Sequence, residues 1–360
     1  MEYRKLPRGS EQFSVIGLGT GSLHEGSKRE IEQAIGYAIE RGVNFFDLSA
    51  SAYKPFHAYA NALRGKREKA YLQMHFGAIY VDGKYGWSRD LAAIKGAFQD
   101  QLKLLGTDYT DMGYLHCVDD HDDYDFLEAN GVFDYILGLK RDGVIRHVGF
   151  SSHSVDIARR FLETGLVDMF MFSINPAYDF AEENGAARAA LYRDCAASGV
   201  GISVMKAFGG GQLLNAKASP FRHALTKYQL IRYALDRPGV LTCLPGIRGT
   251  KDLEEVLGYF DAQPEETDYS EIGSLAPYGT DRCVYCNHCQ PCPVGIDIGL
   301  INKYYDLSTA GDLMARDHYG KLRVKADACK KCGHCESRCP FHVKQEARMR
   351  EIAWHFQDLA

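Results

Sequence analysis

Eight of the eleven cysteines in this 360-residue chain fall in two short runs, Cys283-x2-Cys286-x2-Cys289-x2-Cys292-Pro293 and Cys329-x2-Cys332-x2-Cys335-x3-Cys339-Pro340. Thiolates at this spacing wrap three sulfurs round one iron–sulfur cube, and a distant cysteine completes the fourth corner. The second run is the bacterial C-x2-C-x2-C-x3-C-P pattern, and the first is the same with one residue fewer before its last cysteine. Two runs imply two [4Fe–4S] clusters, with the fourth cysteine of each run ligating the cluster seeded by the other. Cys283, Cys286, Cys289 and Cys339 would hold one cluster, and Cys329, Cys332, Cys335 and Cys292 the second. Paired CxxC runs also bind structural zinc, but zinc does not call for a Cys-Pro after each run. A disulfide framework suits a short secreted chain, not a long one with clustered thiols.

Four groups of a different kind lie far upstream. Asp47, His75 and His116 each stand at or just past the end of a short apolar run, and Tyr53 follows Asp47 closely. A carboxylate, a phenol and two imidazoles converging from neighbouring strands make a proton-transfer site. The elements that would position them alternate regularly. Strands are expected at 15–17, 43–47, 70–74, 112–115, 145–149, 169–173, 201–205 and 241–244, with residues 10–14 forming a lid or hairpin before the first. Amphipathic stretches at 28–40, 89–105, 155–163 and 186–197 read as helices between them. Strand–helix units of this number and length point to an α/β fold, a (β/α)8 TIM barrel with catalytic groups at the C-terminal strand ends. No G-x-G-x-x-G follows the first strand, which argues against a doubly wound open sheet.

The formal charge of −5 leaves no basic footprint for nucleic acid. No run is apolar enough to span a bilayer, and the N-terminus lacks the apolar stretch of a secretory signal. Thiols destined for iron–sulfur clusters need a reducing compartment, so a cytoplasmic location is expected. Residues 261–280 are acidic and carry proline and glycine, which places the domain joint there. The expected organisation is a barrel over residues 1–265 and a small ferredoxin-like α domain over residues 266–360.

Taken in order, several stretches resemble the aldo-keto reductases, in the branch with a C-terminal ferredoxin-like extension. They are Tyr3-Arg4-Lys5-Leu6, Gly17-Leu18-Gly19-Thr20, Asn44-Phe45-Phe46-Asp47 with Tyr53, and Asp111-Met112-Gly113-Tyr114-Leu115-His116. Val148-Gly149-Phe150-Ser151-Ser152-His153, Asn175-Pro176, Val204-Met205-Lys206 and Leu244-Pro245-Gly246-Ile247-Arg248 with Glu255 complete the set. The resemblance covers nearly the whole chain. It implies carbonyl reduction by hydride transfer from a nicotinamide, with a tetrad of Asp, Tyr, Lys and His. Carried over by position, Tyr53 would be the proton donor, His116 would orient the substrate oxygen, and Asp47 would partner the lysine. That lysine is absent. Met74 and His75 stand where the family's third strand ends in Thr-Lys, so an Asp47–His75 pair is expected in place of Asp–Lys. Tyr53 also lies one residue further from Asp47 than is usual in the family.

For the nicotinamide the resemblance implies contacts from Gly19, Thr20, Ser151, Ser152, Asn175, Lys206, Gly246, Arg248 and Glu255. Ser152 stands where the family has Asn, Met171 where it has Gln, and Val256 where Asn is common. Lys206 and the run Gly209-Gly210-Gly211 could hold the pyrophosphate through charge and open backbone N–H groups. Asp252 occupies a position that is often basic in enzymes gripping a 2′-phosphate, so NADH is expected over NADPH. A nicotinamide moves two electrons at once and a [4Fe–4S] cluster moves one, so a flavin remains open as an intermediary. The expected function is a cytoplasmic oxidoreductase acting on a small polar carbonyl or hydroxyl compound, such as a sugar derivative or hydroxy acid. Its clusters would serve structure or electron transfer from a ferredoxin or other donor. The alternatives are an electron-transfer protein with a silent barrel, and a non-redox lyase or isomerase using the same acid–base groups.

Overall fold

The computed structural model describes residues 1–48, 53–81, 84–119, 121–180, 185–219, 221–274, 283, 289–309, 313–320, 322–339 and 342–359. The chain divides into two units. The first comprises Met1–Asn175, Ala186–Ala207 and Lys227–Ser270, and the second Pro176–Gly185, Phe208–Thr226 and Glu271–Ala360.

The first unit opens with an antiparallel hairpin of β1 (Tyr3–Lys5) and β2 (Gln12–Ser14). The barrel strands follow as β3 (Leu18–Gly19), β4 (Phe45–Asp47) and β5 (Tyr71–Phe76). A second hairpin, β6 (Ala78–Val81) and β7 (Lys84–Trp87), interrupts them before β8 (Thr110–Leu115). Then come β9 (Ile145–Ser151), β10 (Met169–Ser173), β11 (Gly201–Met205) and β12 (Val240–Cys243). The large sheet has eight strands in the order β12-β11-β10-β9-β8-β5-β4-β3, with parallel pairing throughout. Its two edges meet. Gly17 donates to the Cys243 carbonyl at 2.9 Å, and Cys243 donates to the Val15 carbonyl at 2.8 Å.

Residues that alternate along the strands fill the lumen. Phe45, Met112, Tyr114, Met169, Met171, Leu241 and Leu244 form one apolar cluster with Leu6 and Phe13 of the first hairpin, which plugs the end where the strands begin. Gly149 has a particular reason to lack a side chain: a Cβ there would lie 2.3 Å from the Tyr114 ring. On the outer face, the helix Val155–Glu163 buries Ile157, Ala158 and Phe161, and the Phe161 ring stacks on Phe150 of β9 at 4.2 Å. The helix expected from residue 89 starts at Leu91, because the Asp90 carboxylate accepts from the Ala93 N–H at 2.8 Å and caps it. β5 runs to Phe76, so His75 sits inside the strand rather than beyond it.

The second unit has its own core of Ile296, Ile298, Ile301, Tyr305, Tyr319, Met349, Ile352 and Phe356, drawn largely from the helices Ile298–Thr309, Leu313–Gly320 and Gln345–His355. A buried polar thread locks two of these helices together. Asn302 donates to Gln345 at 3.0 Å, Arg348 donates to Asn302 at 2.9 Å, and Arg348 also pairs with Asp306. Every member finds a partner, which makes such a thread selective for one packing.

Near the strand starts, His147 joins Glu11 at 3.0 Å and Asp168 at 3.5 Å, and Lys140 reaches Asp168 at 2.7 Å. Burial opposes charge on His147, but its hydrogen bonds to Asp168 and Glu11 prevail and raise its pKa. A raised folded-state pKa contributes stability that is complete below the unfolded value, roughly 6.5, and fades as pH climbs through the folded one. His147→Gln should therefore depress the melting temperature more at about pH 5.5 than at about pH 9. Equal depression at both would contradict a charged His147.

Candidate functional site

Asp47, His75 and His116 lie at the C-terminal ends of β4, β5 and β8 and are 4%, 2% and 3% exposed. Asp47 Oδ1 accepts from Gln73 Nε2 at 2.7 Å and lies 2.7 Å from His75 Nε2. His75 Nδ1 lies 3.2 Å from His116 Nδ1, and His116 Nε2 lies 2.5 Å from the Tyr85 hydroxyl. The proton positions follow by accounting. An ionised carboxylate only accepts, so His75 carries its proton on Nε2 and accepts at Nδ1. His116 then donates from Nδ1, and its Nε2 accepts from the Tyr85 O–H. The result is a directed chain, Tyr85 to His116 to His75 to Asp47. Gln73 supports it from the side, with Ser203 Oγ donating to its Oε1 at 3.2 Å. The 3.3 Å approach of Gln73 Nε2 to His75 Nε2 brings together two N–H groups that share one carboxylate oxygen.

Sequence reasoning named Asp47, His75 and His116, and the structure brings these three together. It sets Tyr53 differently. Tyr53 stands just before the helix Lys54–Ala62, and its hydroxyl donates to the Tyr80 carbonyl at 3.4 Å. Its ring lies 5.0 Å from that of Tyr80. Burial, helped by the charge of Asp100, raises the Tyr53 pKa. Gln73 and Tyr85 were missed. Gln73 lies two residues before His75 on the same face of β5, a period-2 signal. Tyr85 sits behind Asp82-Gly83, a strong two-residue hairpin signal between alternating residues.

The loop after β8 is held from two sides. Arg89 donates to the His116 and Cys117 carbonyls, each at 2.8 Å, and pairs with Asp123 at 2.6 Å. Cys117 has a φ of 47° and Lys206 a φ of 60°, both left-handed conformations that cost energy outside glycine. The proposed nicotinamide contacts sit around the same rim, and most are engaged within the chain. Gly19 ends β3, and the Thr20 hydroxyl donates to the Asp47 carbonyl at 3.1 Å. Ser151 Oγ accepts from the Cys117 N–H at 2.8 Å, and Ser152 Oγ donates to Asp119 at 3.1 Å. Asn175 donates to the Lys206 carbonyl at 2.9 Å. Gly246 follows β12, with room for a Cβ 3.7 Å from Ser22 Oγ. Arg248 is paired with Asp252 at 3.1 Å, and Glu255 with Lys227 at 2.5 Å. Gly209, Gly210 and Gly211 belong to the second unit and all adopt positive φ.

In the second unit, Cys292, Cys329, Cys332 and Cys335 line one cavity together with Cys289. The first four are the set expected to share a cluster, and several thiols on one largely apolar cavity suit iron–sulfur chemistry. Lys331 and Gly333 adopt positive φ on either side of Cys332 and turn the CxxC step back on itself. Burial pushes the Cys335 thiol up to about 11, against the opposing effect of backbone hydrogen bonds. Cys283 is buried, Cys339 is half-buried, and Cys286 lies outside the described residues. Among the described residues no three His, Cys, Asp or Glu side chains close on a single metal ion. Among them, too, no helix is long and apolar enough to cross a membrane.

Residues 15–277 match the model of the aldo/keto reductase family. The chain belongs to that family. Residues 279–343 match a 4Fe-4S dicluster domain, so this family member carries an iron–sulfur segment behind its barrel. The uncharacterized oxidoreductase YqkF of Bacillus subtilis (strain 168) is 31% identical over 177 residues, which are 48% of this chain and 56% of that protein. Protein tas of Escherichia coli (strain K12) is 25% identical over 190 residues, 45% of this chain and 55% of its own length. The chain thus spans little more than half of these curated relatives. Among solved structures, the holo form of aldo-keto reductase AKR11C1 from Bacillus halodurans shares the fold at TM-score 0.64 and 22% identity, covering 77% of this chain and 98% of that one. An aldo/keto reductase from Klebsiella pneumoniae, in complex with NADP and acetate, shares it at TM-score 0.55 and 19% identity, covering 71% and 90%.

Gln73→Leu would leave Asp47 with one donor fewer and Ser203 without its acceptor. A cost of about 1–3 kcal/mol is expected, read as a lower melting temperature. An unchanged melt would mean that Gln73 is not part of what holds the carboxylate.

Proposed function

We propose that this aldo/keto reductase is an oxidoreductase that reduces a small polar carbonyl compound, or oxidises the matching alcohol, at the mouth of its barrel. The observation that carries this is the buried hydrogen-bonded chain from Asp47 through His75 to His116, opening onto a phenol at the C-terminal strand ends. In this proposal His75 takes the place of the family's lysine, and Asp47 holds it in one tautomer. His116 faces the substrate oxygen, and Tyr53 lines the wall beside the second hairpin. Gly19, Thr20, Ser151, Ser152, Asn175, Lys206, Gly246, Arg248 and Glu255 would cradle a nicotinamide, which when bound supplies or accepts the hydride. With Arg248 neutralised by Asp252, a 2′-phosphate meets a carboxylate there, which favours NADH. The two imidazoles and the phenol at these strand ends suit a sugar-derivative or hydroxy-acid substrate.

For the second unit we propose two [4Fe–4S] clusters, one on Cys292, Cys329, Cys332 and Cys335 and one on Cys283, Cys286, Cys289 and Cys339. They would pass single electrons, with a ferredoxin or other donor as partner, or brace the fold. The proposed organisation keeps a barrel over residues 1–265 and a ferredoxin-like domain over residues 266–360, in a reducing cytoplasm. An iron–sulfur electron carrier with a silent barrel is the second possibility. It is favoured by Ser151, Ser152 and Arg248, whose polar groups are already occupied within the chain.

Protein purified without oxygen is expected to contain iron and sulfide in about equal amounts, and Cys335→Ala to lower both. It is expected to consume NADH with 4-nitrobenzaldehyde, and Asp47→Asn to cut kcat by about 10²- to 10⁴-fold. Zinc in place of iron would end the cluster proposal. Reducible clusters with no consumption of NADH or NADPH would favour the carrier, and turnover without nicotinamide a lyase or isomerase.

A further inference from the structure

The second hairpin brings a phenol into the mouth that the barrel strands themselves do not supply. Gly77 adopts a φ of 99° directly after β5, and a Cβ there would meet the Ser88 carbonyl at 3.0 Å. The Ser88 N–H donates to the Gly77 carbonyl at 2.9 Å and closes the base of the hairpin. Tyr80 and Tyr85 stand opposite each other in its register. The Tyr80 ring packs against Tyr53 at 5.0 Å, Phe56 at 5.5 Å and Tyr85 at 6.2 Å, and its carbonyl receives the Tyr53 hydroxyl. On the opposite strand the Tyr85 hydroxyl lies 2.5 Å from His116 Nε2 and its ring 5.8 Å from the imidazole. The hairpin thus ties up one phenol with a backbone carbonyl and delivers another to the head of the proton chain.

We infer that Tyr85, not Tyr53, is the phenol that exchanges a proton with the substrate oxygen. This rests on the oxidoreductase function proposed above. In alcohol oxidation the substrate O–H proton passes to Tyr85 Oη as the Tyr85 proton passes to His116 Nε2. The C–H hydrogen leaves as hydride to an oxidised nicotinamide, and a carbonyl remains. In reduction the hydride comes from a reduced nicotinamide to the carbonyl carbon. The Tyr85 O–H gives its proton to the oxygen as Tyr85 Oη takes back the proton that His116 Nε2 holds in the imidazolium state left by the oxidation. The fit to chemistry is mutual. Once His116 has taken the proton at Nε2, its N–H stabilises the Tyr85 phenolate, whereas the Tyr53 hydroxyl faces a carbonyl that cannot donate to one. The raised pKa of Tyr53 points the same way.

The test uses the full chain purified anaerobically, with Tyr85→Phe and Tyr53→Phe compared. Phenylalanine keeps both rings, and an unchanged thermal melt checks the fold. With 4-nitrobenzaldehyde and NADH or NADPH, Tyr85→Phe should lower kcat by about 10²- to 10³-fold with little change in KM. Its loss should exceed that of Tyr53→Phe at least tenfold. Without nicotinamide, an ultraviolet difference titration should show one tyrosine ionising ahead of the rest, lost in Tyr85→Phe and kept in Tyr53→Phe. A Tyr53→Phe loss as large as that of Tyr85→Phe overturns the inference, as does a titration unchanged by Tyr85→Phe. If the wild type oxidises neither nicotinamide, the reductase function fails. The titration alone then decides whether Tyr85 is the ionising phenol of the site.

Discussion

The candidate site depends on one buried negative charge. Moving a carboxylate out of water costs several kcal/mol unless donors replace the lost hydration, and Asp47 is almost wholly enclosed. Among the described residues Gln73 and His75 answer it, both on the same face of the neighbouring strand. Because the carboxylate can only accept, it dictates the tautomer of His75, and His75 in turn dictates that of His116. A single charge thereby orders protons over two rings and a phenol. The rest of the mouth can be understood as support for that order: Gln73 steadied by Ser203, the β8 loop pinned by Arg89, and Tyr114 held in the lumen by the absence of a side chain at Gly149.

Two left-handed non-glycine residues lie on the same rim. Cys117 and Lys206 adopt left-handed conformations just past β8 and β11, and each is tied by backbone or side-chain hydrogen bonds from outside its own loop. Such conformations persist only where surrounding contacts over-determine them. Cys117 is held by Ser151 and Arg89, and the Lys206 carbonyl by Asn175. Several residues proposed for a nicotinamide are here bonded to neighbours within the chain. A cofactor would have to exchange these internal partners for its own atoms, and that exchange sets how tightly it can bind.

The iron–sulfur unit shows a different economy. Its apolar core is small, and the polar thread of Asn302, Gln345 and Arg348 does what a larger core would do in fixing helix packing. Buried thiols such as Cys335 ionise poorly until a metal arrives, because low dielectric disfavours the thiolate. Metal binding and the final closure of this cavity are therefore coupled, as expected where ligands come from separate turns of the chain.

Much of this was legible in the amino-acid order alone. Cysteine spacing is a local property, since a CxxC step is short enough to bend only a few ways, and it announced the iron–sulfur segment directly. Alternating apolar runs and helical periods marked the barrel, because burying a parallel sheet on both faces demands near-continuous apolar strands. Asp47, His75 and His116 could be named because strand ends are where such a barrel keeps its polar groups. The identity of the phenol at the imidazole could not. Two tyrosines, 53 and 85, both lie near the mouth in sequence, and only the register of the β6–β7 hairpin gives one hydroxyl to a carbonyl and the other to His116. That choice depends on contacts between segments far apart in the chain, where no local pattern carries information. The sharing of Asp47 by Gln73 and His75 was decided in the same way, by geometry that exists only once the strands have closed.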